Sequence, residues 1–257
     1  IDDGAFGAAG ATVLVEELLD GPEVSAFALV DADTVSPLAL SQDFKRIGDG
    51  DTGPNTGGMG AYSPVPFVDE ALADRIVSDV LAPTVRAMAE DGTPYRGVLY
   101  AGLMLTAEGP RVLEFNCRFG DPETQALMPR LATEPAELLM AAARGELASP
   151  RIELRTEACV TVVLASKGYP GAHGTGFEIS GIADASRVDG ALVFHAGTEE
   201  RQGRVVTAGG RVLSVSALGD SLGQARDRAY EACSRISFEG MQHRTDVAAA
   251  AAGEERR

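Results

Sequence analysis

The chain has 257 residues, of which 45% are hydrophobic, and a formal net charge of −16 at pH 7. This length allows one large domain or two smaller ones, and the apolar runs are too short to cross a bilayer. The acidic balance argues against nucleic acid as a partner, because nucleic-acid-binding proteins carry a basic face. The three cysteines include no Cys-x-x-Cys pair, so we expect neither a disulfide framework nor a zinc site, and a reducing cytoplasm fits best.

The first part of the chain predicts β-structure around a long glycine-rich loop. In chain order, the expected elements are strands at 13–19 and 24–40, a loop at 41–66, a helix at 68–92 and a β-hairpin at 96–116. The loop holds six glycines and three prolines, and long ordered loops of this kind are usually functional. The helix is expected to be capped by Asp69 and to be kinked or split at Pro83.

The character of the sequence changes after Ser149-Pro150, which predicts a domain boundary. The expected elements beyond the hairpin are helices near 123–131 and 135–147, strands at 158–166, 191–197, 204–209 and 211–219, and a helix at 221–236. Together these predict an α+β fold, with a mostly antiparallel sheet and helices in residues 1–150 and a small β-rich domain in residues 151–248. Residues 249–257, rich in alanine and then charged, are expected to form a disordered tail.

A dense group of polar residues ends the hairpin and follows it, in the stretch EFNCRFGDPETQ at 114–125. Residues two apart on a strand share a face, so Glu114 and Asn116 are expected to point the same way, with the apolar neighbours pointing the other way. A carboxylate and an amide oxygen side by side suit Mg²⁺. Arg118 is placed to clamp a phosphoryl or carboxylate group, and Asp121 lies at a helix start, where N–H groups attract anions. A surface strand of alternating polarity is the alternative.

The glycines of the loop favour an anion-binding function. Successive N–H groups in such loops form anion-binding concavities, and glycine lets a ligand approach the backbone closely. Asp43 and Lys45 bring an acid and a cation to the edge of this loop, and Gly57-Gly58 lies within it. A flexible linker is the alternative interpretation, but the loop lacks the Ser, Glu and Lys that such linkers carry.

Two acidic residues, Glu16 and Glu17, interrupt the apolar strand predicted at 13–19. Taken singly, either of them can simply face solvent. The functional interpretation is a strand that leaves the sheet beside a nucleotide. A carboxylate and backbone groups would then bond the adenine, and Glu23 would meet the ribose hydroxyls.

Other catalytic motifs are absent or have a simpler explanation. The chain contains neither the P-loop pattern G-x-x-x-x-G-K-[ST] nor the metalloprotease pattern H-E-x-x-H. Residues 219–223 match the nucleophile-elbow pattern G-x-S-x-G. However, Ser221 followed by Gln224 is a capping box, and the chain after it leaves no room for the rest of a triad before His243. The hydrolase interpretation is therefore not favoured.

Two motifs identify a resemblance that extends over essentially the whole chain. The run SQDFKRIGDGDTGPNTGGMGAYSP at 41–64 and the string RFGDPETQ at 118–125 resemble the phosphoribosylamine–glycine ligase family, also called glycinamide ribonucleotide synthetases, of the ATP-grasp superfamily. Further similar stretches lie at 99–104, 168–171 and 194–198. The resemblance implies a partial ATP-grasp domain followed by the C-terminal domain of the family, which helps to close the active-site cleft.

The resemblance also implies a reaction and a set of residues. ATP, glycine and 5-phospho-β-D-ribosylamine give glycinamide ribonucleotide, ADP and phosphate through a glycyl phosphate intermediate, in purine biosynthesis. The implied ligands of Mg²⁺ or Mn²⁺ are Glu114 and Asn116. The residues implied to meet the adenosine of ATP are Glu16, Glu17, Leu18 and Glu23. The implied catalytic residues are Arg118, Asp43 and Lys45. The implied substrate-binding residues are Asp43, Lys45, Gly57, Gly58, Arg118 and Asp121.

The main departure from the family concerns the beginning of the chain, which lacks the separate N-terminal domain and the start of the ATP-grasp. We therefore expect a C-terminal portion that is an inefficient ligase without the missing part, and a monomer in full-length form. Phe44 and Lys167 stand where His and Gly are common in the family. Two alternatives remain open: another ATP-grasp carboxylate–amine ligase, and a non-catalytic module that retains the fold.

Overall fold

The computed structural model describes residues 7–32, 34–147 and 152–254. Its strands are β1 (Glu23–Asp31), β2 (Val35–Pro37), β3 (Gln42–Asp43), β4 (Arg46–Gly48), β5 (Thr52–Asn55), β6 (Gly60–Ser63), β7 (Arg96–Thr106), β8 (Gly109–Asn116), β9 (Ala158–Ser166), β10 (Ala191–His195), β11 (Thr198–Arg201), β12 (Arg204–Thr207), β13 (Arg211–Gly219) and β14 (Met241–Gln242). Its α-helices are α1 (Glu70–Ile76), α2 (Ala82–Glu90), α3 (Glu123–Leu127), α4 (Pro135–Arg144), α5 (Ile182–Ala185), α6 (Leu222–Ser234) and α7 (Ala249–Glu254). The predicted α+β class with mostly antiparallel sheet is confirmed.

The first sheet has the strand order β2–β1–β7–β8, with antiparallel neighbours throughout. Its centre is buried on both faces, because alternate residues of β1 enter different clusters. Ala28 and Val30 pack with residues of α1 and α2, whereas Phe27 and Leu29 pack with residues of α3 and α4. The strand β8 lies at the open edge of this sheet, and its side chains from 111 to 115 are exposed.

The second sheet crosses the boundary that the sequence predicts near residue 150. Its order is β10–β13–β9–β6–β3, with β14 also paired to β9. The short strands β3 and β6 come from the first half of the chain, and Gly60–Ser63 pairs antiparallel with Cys159–Val162 of the second half. The division into domains therefore stays a prediction, and the two halves share this sheet. Helix α6 covers the sheet with buried alanines.

Several local predictions are confirmed. The Asp69 side chain caps α1 by accepting a hydrogen bond from the Leu72 amide at 2.8 Å. Pro83 lies in the first turn of α2, directly after a π-helical segment at Val77–Leu81, so the predicted helix is split there. The Ser221 hydroxyl caps α6 by accepting from the Gln224 amide at 3.1 Å, which supports the capping interpretation over the hydrolase one.

Three predictions are wrong. Residues 13–19 do not form a strand, and Val15 and Leu18 are 88% and 95% exposed, because an apolar run needs a sheet partner to become a strand. Residues 41–66 are not one long loop, since β3 to β6 lie within them. Residues 249–254 are not a disordered tail but helix α7, with Ala251 and Ala252 buried, which fits the high helix propensity of alanine. Residues 255–257 lie outside the described residues.

No helix among the described residues is both long enough and apolar enough to span a membrane.

The hairpin formed by β4 and β5 is held to the end of the second half by a buried arginine. The Arg244 side chain is 1% exposed, and its Nη1 lies 2.6 Å from Asp51 Oδ1 while its Nε donates to Asp246 Oδ1 at 2.7 Å. Its guanidinium carbon lies 4.7 Å from the centroid of the Phe44 ring. Asp246 Oδ2 also accepts from the Gly50 amide at 2.8 Å. The loop that leads away from Lys45 is therefore fixed in place by residues nearly two hundred positions later in the chain.

The replacement Arg244→Met should be strongly destabilising, because it leaves the carboxylate of Asp246 without its buried partner. We expect the free energy of unfolding to fall by about 3 kcal/mol, measured by urea denaturation. The matched control is Arg187→Met, which removes an exposed pair with Asp184 and should change stability by less than about 0.5 kcal/mol. Equal losses in the two variants would contradict the structural role of Arg244.

The contact between Arg244 and Asp246 should also make the stability of the protein depend on pH. Burial opposes the charged form of Asp246, but hydrogen bonds from Arg244 and from the Gly50 amide outweigh it and lower the pKa of Asp246 to about 2, from an ordinary value of 3.8. The stabilisation is therefore complete above pH 3.8 and is lost as the pH falls towards 2. Unfolding curves at pH 7 and at pH 2 should differ more for wild type than for Arg244→Met.

Candidate active site

The two sheets meet beside a lysine that is held between two carboxylates. The amides of Ser25 and Ser41 donate to each other's carbonyl oxygens at 2.8 and 3.0 Å, which joins β1 to the chain just before β3. Lys45 Nζ consequently lies 2.7 Å from both Asp43 Oδ1 and Glu23 Oε2. Burial lowers the pKa of Lys45, but the two carboxylates outweigh it and the pKa is raised, so the amine is charged at neutral pH.

Glu114 and Asn116 lie side by side on the edge strand β8, as the sequence predicts. Asn116 Nδ2 donates to Glu114 Oε1 at 3.2 Å. Glu114 lines a cavity of about 240 Å³ together with Glu23, Lys45 and residues of β1 and β7. The carboxylate oxygens and the amide oxygen are hard donors of the kind that Mg²⁺ and Mn²⁺ take. The residues present would therefore fit a divalent cation, with Glu114 and Asn116 as two of its ligands.

The strict alternation expected along this strand is broken by a bulge. Gly102 pairs with Glu114, but the next residue of β7, Leu103, pairs with Val112, so Leu113 has no partner of its own. As a result Leu113 and Glu114 line the same cavity. A bulge bends its strand and redirects side chains, which a period of two cannot anticipate.

The turn that contains Gly57 and Gly58 (the glycine turn) contacts the turn at Asp121 and Pro122 (the Asp121 turn). Gly58 has φ +106°, and a Cβ there would overlap Cδ of Pro122, so this close packing requires glycine. Gly57, Gly58 and Asp121 are thus brought together, and their substrate-binding roles stay predictions. The turn does not contribute to the cavity lined by Glu114 and Lys45.

Arg118 is exposed on the chain between these two groups. Its Nη1 donates to the carbonyl oxygen of Phe119 at 2.9 Å. Within the part of the chain that the structure describes, no hydrogen bond or ion pair joins Arg118 to Glu114 or Asn116. Its catalytic role stays a prediction.

The residues predicted to meet adenosine divide into two places. Glu23 belongs to the lysine cluster, whereas Glu16 and Glu17 line a separate cavity of about 230 Å³ beside β8. Glu17 Oε2 lies 3.0 Å from Arg111 Nη2, and Leu18 is exposed. Both places flank the strand that carries Glu114, and the nucleotide-binding roles stay predictions.

Sequence reasoning missed a buried polar group at the centre of the site. Glu123 is 4% exposed, and its Oε1 accepts from the Tyr100 hydroxyl at 3.1 Å and from the Ser25 hydroxyl at 3.4 Å. Burial raises the pKa of Glu123, and the nearby charge of Asp43 raises it further. The sequence offered one indication, since Glu123 belongs to the Asp-Pro-Glu string, but an acid at a helix start is also expected on the surface.

Comparison with known proteins places the fold in a class and the chain in a family. Residues 1–124 match the model of the ATP-grasp (A) domain of phosphoribosylglycinamide synthetase, and residues 159–250 match its C domain. The crystal structure of N5-carboxyaminoimidazole ribonucleotide synthetase from Thermotoga maritima has the same fold, with a TM-score of 0.62 at 15% identity over 90% of this chain and 57% of that chain. The fold and the site thus define an ATP-grasp protein.

The matches to named relatives are much closer than this fold likeness. Phosphoribosylamine–glycine ligase of Streptomyces coelicolor is 57% identical over 94% of this chain and 59% of its own length. The ligase of Rhizobium meliloti is 53% identical over 95% of this chain and 57% of its own length. The crystal structure of the Thermotoga maritima ligase has a TM-score of 0.82 at 38% identity, over 90% of this chain and 56% of that one.

The chain belongs to the phosphoribosylglycinamide synthetase family. It spans 57% to 59% of the length of the curated relatives that it matches.

The buried charge of Glu123 leads to a prediction about stability and pH. Because the pKa of Glu123 is raised, the folded protein holds this proton more tightly than the unfolded chain, and stability falls as the pH rises above the ordinary glutamate value. Glu123→Gln keeps an acceptor for Tyr100 and removes the charge. We expect this variant to unfold at a higher temperature than wild type at pH 8, with a difference that shrinks as the pH approaches 4.

The control for this measurement is Glu239→Gln, which neutralises an exposed carboxylate. It should leave the unfolding temperature nearly unchanged at both pH values. A Glu123→Gln variant that is less stable than wild type at pH 8 would show that the carboxylate is held there by favourable contacts and would contradict this prediction.

Proposed function

We propose that this chain carries the catalytic centre of a phosphoribosylamine–glycine ligase. In the proposed reaction the glycine carboxylate attacks the γ-phosphorus of ATP and ADP leaves, which forms glycyl phosphate. The amine of 5-phospho-β-D-ribosylamine then attacks the acyl carbon, loses a proton and expels phosphate, which gives glycinamide ribonucleotide. The main support is one cavity that is lined by the charged Lys45 and by the carboxylate of Glu114.

The residues of the site suit phosphoryl transfer, which depends on positioning and on charge stabilisation. Glu114 and Asn116 would hold Mg²⁺ or Mn²⁺, which neutralises charge on the ATP phosphates when bound. Lys45, oriented by Asp43, offers a fixed positive charge on the other side of the same cavity.

The substrate side of the site is proposed to lie around the glycine turn. Gly57, Gly58 and Asp121 would bind glycine and the ribosylamine, and Arg118 would hold the carboxylate or the transferring phosphoryl group. Glu16, Glu17, Leu18 and Glu23 would contact the adenosine. The net charge of −16 fits small-molecule substrates rather than nucleic acid. We propose that the full-length protein is a cytoplasmic monomer.

The metal ligands give the sharpest test of ATP binding. Glu114→Gln keeps the size of the side chain but removes the charge that a divalent cation requires. In the chain extended by the N-terminal region that the family resemblance implies, we expect ATP to bind at least about tenfold more weakly in the presence of Mg²⁺, as measured by calorimetry. ATP binding without metal should change little.

The matched control is Glu108→Gln, at the turn of the same hairpin, which should bind ATP and Mg²⁺ like wild type. If Glu114→Gln retains wild-type affinity and metal dependence, Glu114 is not a metal ligand and the proposed site is wrong. The extended chain could instead bind ATP and release phosphate with another carboxylic acid but not with glycine. That result would indicate a different ATP-grasp ligase.

Exposed apolar residues lie at the edge of the site, on β8. From them we expect that efficient catalysis needs an additional part of the protein that covers this edge. Val112, Leu113 and Phe115 on β8 are about 40% exposed, and the run 13–18 beside them is exposed as well. Such a surface is normally covered by another part of a protein, and an open cleft positions substrates poorly. We expect glycine-dependent phosphate release by this chain to be at least about 100-fold slower than by the N-terminally extended chain. Comparable rates would refute this.

A further inference from the structure

Arg211, at the first position of β13, reaches across to the glycine turn from the second half of the chain. Its Nη1 donates to the carbonyl oxygen of Gly57 at 2.6 Å and to that of Asp121 at 2.7 Å. The same atom lies 3.2 Å from Asp121 Oδ1 and 3.4 Å from the carbonyl oxygen of Gly58. The side chain is only 22% exposed. One guanidinium nitrogen thus binds both turns that the proposed substrate site contains.

The glycine turn depends on such a donor because its carbonyl oxygens converge with that of Asp121. Oxygens that point at one another repel unless a donor lies between them, and a charged donor gives the stronger hydrogen bonds. The amide of Gly57 also donates to the Tyr169 hydroxyl at 2.9 Å, so a second contact comes from the same half of the chain. A Cβ at Gly57 would lie 3.0 Å from the Arg211 guanidinium, so the two residues are tightly packed.

The two hydrogens of Nη1 are used by the carbonyl oxygens of Gly57 and Asp121, so this nitrogen is committed to the protein. Arg211 is also absent from the linings of the two cavities that Lys45 shares. Arg211 should therefore affect substrate binding through the backbone that it holds in place. It should not affect nucleotide binding.

We propose that Arg211 is a positioning residue that sets the glycine turn and the Asp121 carboxylate for glycine and the ribosylamine. This inference rests on the proposed function. Arg211 fixes the two turns relative to each other, so its loss should weaken substrate binding while ATP binding is preserved.

The first test needs no activity and uses this chain as it is. Hydrogen–deuterium exchange is measured for wild type, Arg211→Met and the control Arg204→Met, which removes an exposed ion pair with Glu178 in the same half. In Arg211→Met we expect exchange to be about tenfold faster in peptides that cover 56–62 and 119–124, because a charged hydrogen-bond donor is lost. Peptides of α6 should be unchanged in both variants. Unchanged exchange in the two turns would overturn the proposal.

The second test is kinetic and uses the N-terminally extended chain. For Arg211→Met we expect the KM values of glycine and the ribosylamine to rise about tenfold, with the KM of ATP within about twofold of wild type. Arg211→Lys retains the charge and should recover part of the loss. A rise in the KM of ATP equal to that of glycine, or no rise at all, would refute the positioning role.

The two tests also separate this inference from the proposed function. If the wild-type extended chain shows no glycine-dependent phosphate release, the proposed function fails, and the exchange experiment still decides whether Arg211 holds the two turns. If Arg211→Met does not fold, as judged by its thermal unfolding, Arg211→Lys takes its place in both tests and should show smaller changes in the same direction. Wild-type values for Arg211→Lys in that case would count against the proposal.

Discussion

The pairing of Ser25 with Ser41 is the constraint on which the site depends. Two backbone hydrogen bonds at this point join the first sheet to the strands that lead into the second. They bring Glu23 and Lys45 into contact at 2.7 Å although 21 residues lie between them. The buried hydroxyl of Ser25 also points at Glu123, so the same residue fixes the acid below the cluster. Loss of this register would separate the lysine from Glu114 and from the cavity that they share.

The second half of the chain acts on the site without supplying the residues proposed to react. It completes the sheet through the pairing of β6 with β9, and it sends Arg244 and Arg211 back to loops of the first half. Each guanidinium binds groups from different elements, Arg244 through three nitrogens and Arg211 through Nη1 alone. The composition of the sequence changes near residue 150, which predicts a boundary. Only the long-range contacts show that residues before and after this point lie around the same candidate site.

The parts of the site that sequence could predict are those that adjacent residues specify. Glu114 and Asn116 lie two residues apart on one strand, and residues at this spacing point to the same face of a sheet. The bulge at Leu113 could not be predicted from the sequence, because it depends on the register of β7 against β8. The hydrogen bond from Tyr100 to Glu123 could not be predicted either, since the burial of an acid does not follow from its neighbours along the chain. The failed strand at 13–19 is a similar case, because a strand needs a sheet partner that neighbouring residues do not identify. Helix α7 differs, since the helix propensity of its alanines already favoured it.

The division of labour between arginine and lysine follows from the same contacts. The chain has 20 arginines and two lysines, so scaffold contacts fall almost entirely to arginine. Arg130 shows the pattern, since its three nitrogens donate to Ser63 in one segment and to Arg155 and Glu157 in another. Lys45 makes a different arrangement, with one compact charge held between two carboxylates beside a cavity. A rigid fork of donors suits a junction of several oxygens from different segments, whereas a compact ammonium can be fixed as a single positive charge between two carboxylates.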